Sequence, residues 1–296
     1  MNSPRLQAFL ALIAVSAMWG VAGPVIKMTL NHIPPFTFLW IRFCVVGLIT
    51  IPWYIAYLYR RTISLKDIMI LSLFGLMSTT IHLSLIFLGI ERTTSTEAML
   101  IGSIAPIFIV LLGVIRLKEH VTSRELIGMA LVLLGTGFTI LQPLLSGNGF
   151  TNVTGNSIIL FSNIVFALFV FYSKKNFRHY SPLFITLHSS IVAVVTYFPL
   201  ALIENGGTLP SFALLTSSGT VFFGIMYMAI VSYIMAYLLF EFGMSKIEIS
   251  EGSIYTYIQP IFAAPVAVLW LHEAITVPFI IGATIIVAGV VLTERK

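Results

Sequence analysis

Charge is what this sequence has least of. Only 9% of its 296 residues are Asp, Glu, Lys or Arg, against about 25% in an average soluble domain. So few charges cannot clothe a chain of this length in a water-facing surface. A soluble globular domain, a disordered chain and a basic nucleic-acid binder are excluded together. Cysteine is nearly missing as well. Cys44 alone cannot form an internal disulfide, and no Cys/His spacing fits a metal site, so neither metal nor cofactor is expected. No phosphate loop of the GxxxxGK[ST] kind is present, which excludes an ATP-driven pump on this chain alone. What the sequence does have is apolar residues, 58% of the total, in long uninterrupted runs. These predict a polytopic protein of the lipid bilayer.

A spanning helix needs about 20 mostly apolar residues. Stretches free of Asp, Glu, Lys and Arg cover 6–26, 68–90, 98–115, 126–145, 180–203, 252–271 and 274–293, and 33–59 is interrupted only by Arg42. Polar breaks at 146–157 and 204–212 set off further spans near 157–173 and 216–240. The expectation is ten transmembrane helices and no extramembrane domain. The first is read as a retained span, because it is too long for a signal-peptide core and runs on into Lys27 without a convincing cleavage site. With the N-terminus inside, 13 of the 16 basic residues fall in cytoplasmic segments. Lys27 and Arg92 fall on the other side, and Arg42 lies within a span. This asymmetry predicts a multi-pass protein of the cell (inner) membrane with both termini cytoplasmic.

Slid against itself, the sequence repeats. At an offset of 154, Gly89, Glu97, Pro106-Ile107-Phe108, Glu119, Thr122, Ile127-Gly128 and Gly135 meet identical residues, among them Glu251, Pro260-Ile261-Phe262, Glu273, Gly282 and Gly289. At an offset of 147, Lys27, Pro35 and Pro52 meet Lys174, Pro182 and Pro199. The expected organisation is an all-α membrane protein of two five-helix repeats, 1–145 and 154–296. An odd number of spans per repeat forces the second to insert upside down relative to the first. Inverted repeats are an architecture of secondary transporters, which place a site near the midplane that opens to either side.

The run MWGVAGPVIK (18–27), the Pro35-to-Arg42 spacing and the repeated Pro-Ile-Phe with a Glu thirteen residues after the Pro resemble EamA-type members of the drug/metabolite transporter superfamily. The resemblance covers essentially the whole chain. It implies a central cavity lined mainly by spans 1, 3, 4, 6, 8 and 9, with spans 5 and 10 peripheral. The second half departs from the pattern, with Phe166-Ala167 where the first has Trp19-Gly20 and Ser189 opposite Arg42.

Several residues carry candidate chemistry. Pro106 and Pro260 lie mid-span and each removes an N–H, freeing the carbonyls of Gly102 and Thr256, so each is a packing kink or a gate. Glu97 and Glu251 open their spans. Thr94 followed by Glu97 reads as a capping box, and proton coupling through either Glu is the alternative. Glu119 and Glu273 close their spans and orient loops. Arg42 fits a structural ion pair or recognition of a carboxylate or phosphate. His82 and His188 are embedded, as hydrogen-bonding residues or proton carriers. Trp19, Thr79, His82, Ser103, Asn163, Tyr233, Tyr237, Tyr257 and Gln259 fall where the cavity is expected. Repeat partners differ there: Ser103 opposes Tyr257 and Thr79 opposes Tyr233, placing phenols on one side of a substrate and hydroxyls on the other. Gly128, Gly135, Gly282 and Gly289 recur every seven residues and predict close helix packing, within a monomer or at a homodimer contact.

The function these features favour is a permease or exporter of small neutral or zwitterionic metabolites such as amino acids, working by facilitated or exchange transport. No Asp lies in any span, which argues against a dedicated sodium site. A nucleotide-sugar or phosphate-ester exchanger is the rival, but it calls for several buried cations where only Arg42 is deep. An intramembrane enzyme is the remaining alternative, and no paired carboxylates, HExxH or Ser/His/Asp set supports it.

Overall fold

The computed structural model describes residues 4–60, 63–117, 122–145, 149–176, 180, 182–244, 246 and 257–294. Among these residues the chain is helical, without strands. In order they form α1 (Pro4–Leu30), α2 (Pro35–Arg60), α3 (Leu65–Gly75), a π-helical segment (Leu76–Ile81) and α4 (His82–Glu91). Then come α5 (Ser95–Gly102), α6 (Ala105–Leu117), α7 (Ser123–Leu145), α8 (Gly149–Asn176) and α9 (Pro182–Glu204). A 3-10 turn (Phe212–Thr216) leads to α10 (Gly219–Met226), a second π segment (Tyr227–Met235) and α11 (Ala236–Met244), and the chain ends in α12 (Gln259–Leu271) and α13 (Val277–Glu294).

Side-chain placement is inverted relative to a water-soluble fold. Arg42, Glu97, Asn156, Asn163, His188 and many Ser and Thr are buried, whereas Leu48, Ile203 and Leu269 are 79%, 75% and 71% exposed. Apolar exposure on that scale marks a surface meant for lipid. Helices suit it, because every mid-element N–H and C=O is paired internally. Six helices, Leu6–Leu30, Pro35–Tyr59, Leu65–Glu91, Asn152–Tyr172, Leu183–Glu204 and Gly219–Phe240, are long and apolar enough to cross a bilayer. Shorter apolar helices cover Ser95–Ile109, Leu126–Leu141, Gln259–Leu271 and Val277–Leu292.

Helix starts are capped by the residue types that favour them. Ser64, Thr94 and Ser218 each accept a hydrogen bond from the backbone N–H three residues on. Carboxylates from distant elements cap one further start, that of α2, and reinforce the start of α5. Glu204 accepts from the Phe36 and Thr37 N–H groups at the head of α2. Glu273 accepts from Ser95 and Thr96 at the head of α5. Negative charge at these positive helix ends is favourable.

The strongest packing joins the two halves of the sequence and not elements within a half. The main partners are α7 with α13, α2 with α9, α1 with α12 and α11, and α4 with α8. The repeat glycines make the first of these pairs possible. A Cβ at Gly289 would lie 2.6 Å from the Gly128 carbonyl oxygen, and one at Gly282 would collide with Thr139 Oγ1. The main core, around Phe38, Phe43, Phe87 and Tyr197, likewise takes its side chains from both halves.

Candidate functional site

The two π segments shape the interior. A π turn shifts the hydrogen-bond register and frees carbonyls, a rare feature that recurs at functional sites. Tyr197 Oη, from α9, lies 2.7 Å from the carbonyl oxygen of Thr79 and 3.0 Å from that of Thr80 in the first π segment. Trp19 Nε1, from α1, donates to the Ser232 carbonyl of the second at 2.9 Å. The same indole packs on Tyr237 and Phe240, with centroids 5.6 and 5.4 Å away. Tyr237 meets Tyr233 at 4.9 Å, and Tyr233 meets Phe43 edge-on at 5.2 Å. An aromatic run thus leads from α1 to α2, and it ends on Arg42. The guanidinium carbon sits 5.0 Å from the Phe43 centroid and 5.6 Å from that of Tyr233.

A second set surrounds the junction of α5 and α6. The sequence predicts Pro106 as a mid-helix kink, but the helix breaks outright at Ser103-Ile104 and Pro106 falls in the first turn of α6. The Ile101 carbonyl at this break accepts from Asn163 Nδ2 at 2.6 Å and from the Ile104 N–H at 3.4 Å. Ser103 Oγ turns back onto the Leu100 carbonyl at 2.7 Å. Pro260 likewise opens α12 instead of kinking a described helix, and Gln259 at its start is buried. A Cβ at Gly20 would lie 2.5 Å from the Gln259 carbonyl oxygen, so only glycine lets α1 approach α12 there.

Other candidates are held by protein partners. His82 Nδ1 lies 2.7 Å from Ser162 Oγ, and its ring stacks on Phe166. His188 is bracketed by Tyr54 Oη and Ser72 Oγ, each at 2.9 Å. Thr79 Oγ1 donates to the Gly75 carbonyl at 2.6 Å. Glu97 does receive its backbone cap from Thr94, yet its carboxylate reaches sideways to Asn156 Nδ2 and Thr93 Oγ1, both at 2.8 Å. Glu251 and Glu119 lie outside the described residues.

Beside Glu97 a cavity of about 350 Å³ is lined by Lys27, Glu91, Arg92, Thr93, Thr94 and Glu273, among others. Two of these residues tie helices together. Lys27 Nζ donates to the Ile90 and Glu91 carbonyls at 2.8 and 2.9 Å. Glu273, beyond capping α5, accepts from the Thr96 hydroxyl.

The structure therefore gathers Trp19, Arg42, Tyr233 and Tyr237 at the second π segment, and Ser103 and Asn163 at the helix break. Tyr257 stands apart from the first group, packed against the cluster of Leu100, Ile104 and Met129. Phe43, Tyr197, Asn156 and Ser162 escaped the sequence reading. Buried aromatic and small polar residues look alike in a sequence this apolar, and only Phe43, adjoining Arg42, had a signal beside it.

Long apolar helices with lipid-facing apolar side chains make this a multi-pass membrane protein. The model of the EamA-like transporter family matches residues 6–141 and again 153–295, and the chain belongs to that family. An uncharacterized transporter of Archaeoglobus fulgidus is 21% identical, over 98% of this chain and 100% of its own. A "probable amino-acid metabolite efflux pump" of Escherichia coli K12 is 24% identical, over 96% and 93%. A "probable terminal-alkyne amino-acid exporter" of Streptantibioticus cattleyicolor is 23% identical, over 78% and 74%. One solved crystal structure covers 99% of this chain and 97% of its own at a TM-score of 0.61 and 17% identity, a likeness of fold alone.

Proposed function

We propose that the chain is a ten-span secondary transporter of the cell membrane, with both termini cytoplasmic, built from inverted repeats at 1–145 and 154–296. It moves small neutral or zwitterionic metabolites such as amino acids by alternating access. The observation that carries this reading is the symmetry of the packing. Exchanging each helix for its repeat partner turns the α1–α12 contact into the contact of α5 and α6 with α8. The same exchange turns α1–α11 into α4–α8, and returns α2–α9 and α7–α13 to themselves. The π segments obey it too, since 76–81 shifted by 154 gives 230–235, inside Tyr227–Met235. Two halves related in this way are what allows a central site to face one side and then the other.

The substrate class draws on the relatives named as amino-acid efflux pump and exporter, and on Arg42 as the one buried cation among the described residues. The test is flux of a labelled amino-acid panel into proteoliposomes holding the purified protein. Saturable, protein-dependent flux of at least one member is expected. Flux equal to that of empty liposomes for every member would refute the reading.

A further inference from the structure

Arg42 is 2% exposed, deep within α2, and its Nε and Nη1 have no hydrogen-bond partner. Among the described residues no carboxylate pairs with it. Its surroundings are ring faces, Phe43 at 5.0 Å and Tyr233 at 5.6 Å. No phenol accepts from its Nε or Nη1, and the phenolic O–H groups nearby point to backbone carbonyls instead. Tyr233 Oη donates to Thr186 O at 3.1 Å, and Tyr197 Oη is engaged by Thr79 and Thr80. Ring faces offset part of the cost of burying a cation. They give its N–H groups nothing to donate to, and an uncompensated charge at membrane depth is expensive. A structural ion pair, the plain explanation for such an arginine, is therefore missing on the protein side.

We propose that Arg42 is the anchor for the carboxylate of the substrate, which makes the transported class monocarboxylates and, within the transport reading above on which this rests, amino acids with apolar or aromatic side chains. A guanidinium offers paired N–H donors whose spacing matches one carboxylate. Phe43 and Tyr233 provide flat apolar walls beside it. A doubly charged phosphate ester would bring one negative charge too many for a single guanidinium, and Lys27 is committed to the carbonyls that end α4. Tyr233 lies over the guanidinium from the second π segment, so entry of the carboxylate requires that segment to shift. Its irregular hydrogen bonding suits it to do so.

The experiment uses the full chain in detergent and reads its melting temperature with 3-phenylpropionate, phenylalanine, phenylalaninamide and phenethylamine as probes. The two carboxylates are expected to raise the melting temperature and the amide and amine to leave it unchanged. In Arg42→Gln the carboxylate effect should require at least about tenfold more ligand, and Arg42→Lys should fall between. Should Arg42→Gln fail to fold, the wild-type comparison of acid with amide and Arg42→Lys decide the matter. Equal responses to acid and amide in the wild-type protein, or an undiminished carboxylate effect in Arg42→Gln, would overturn the proposal. Because melting does not depend on flux, carboxylate binding without transport would sink the transport reading alone, and transport without carboxylate preference would sink this inference alone.

Discussion

Residues of the same type do different work here, and substitution separates them. Tyr233 and Tyr257 looked equivalent in sequence, two phenols opposing smaller residues of the first half. Tyr233 covers Arg42, whereas Tyr257 packs on Leu100, Ile104 and Met129. Tyr233→Ala is therefore expected to weaken amino-acid affinity about tenfold, and Tyr233→Phe, which keeps the ring over Arg42, to weaken it much less. Tyr257→Ala should instead lower stability by about 2 kcal/mol with affinity unchanged. Competition binding and thermal unfolding on the three variants check this. Asn163→Ala removes the side-chain donor from the buried Ile101 carbonyl, which keeps only the long bond from Ile104 N–H, at a cost of about 1 kcal/mol in thermal or denaturant unfolding. Asn163 was legible as polar and interior. Its task was not, because the gap it fills arises from a helix break at Ser103-Ile104 that the apolar run 98–115 gives no sign of. Arg42, by contrast, stood out from the start as the lone cation within a span.

At the scale of elements, two features govern how the helices move against one another. The first is the α7–α13 seam. Its repeat glycines were legible because a seven-residue spacing of small residues has few other uses in a membrane. Gly282→Leu is expected to abolish a monodisperse peak in size-exclusion chromatography, since even a Cβ there collides with Thr139. The second is the tie from Glu273 to the head of α5, reinforced by Lys27 on the end of α4. The sequence marked Glu273 as a loop-orienting residue but gave no partner, because a cap supplied from another helix leaves no local pattern. Under the inverted arrangement proposed above, this tie would close the side opposite the termini. Repeat register pairs Glu119 with Glu273 and Ile249-Ser250 with Ser95-Thr96, so the proposed inversion predicts that Glu119 acts on the opposite, cytoplasmic side. Glu273→Gln should raise, and Glu119→Gln lower, the labelling rate of a cysteine introduced at Asn152 by a membrane-impermeant thiol reagent. The background for this measurement is Cys44→Ser. Changes of the same sign in both variants would show that the two ties are not opposed.

For the whole molecule, composition alone excluded water as the solvent, and the structure agrees by turning polar residues inward and apolar ones out. The internal repeat is read from matching Gly, Pro and Glu positions, but which helices pair across the two halves is not, because contacts between distant spans leave no sequence pattern. The π segments were invisible, because a register shift inside an apolar helix leaves composition and hydropathy untouched. Yet they fall at matching positions of the repeat, and the second of them carries Tyr233 over Arg42. The central claim is that one site faces the two sides of the membrane in turn. Counterflow in proteoliposomes tests this most directly, with unlabelled amino acid loaded inside, a trace of labelled amino acid outside and no sodium present. Transient accumulation of label above its equilibrium level is expected, driven by the unlabelled pool and abolished when that pool is omitted. Label that rises only to equilibrium at the same rate with or without the internal pool would contradict it.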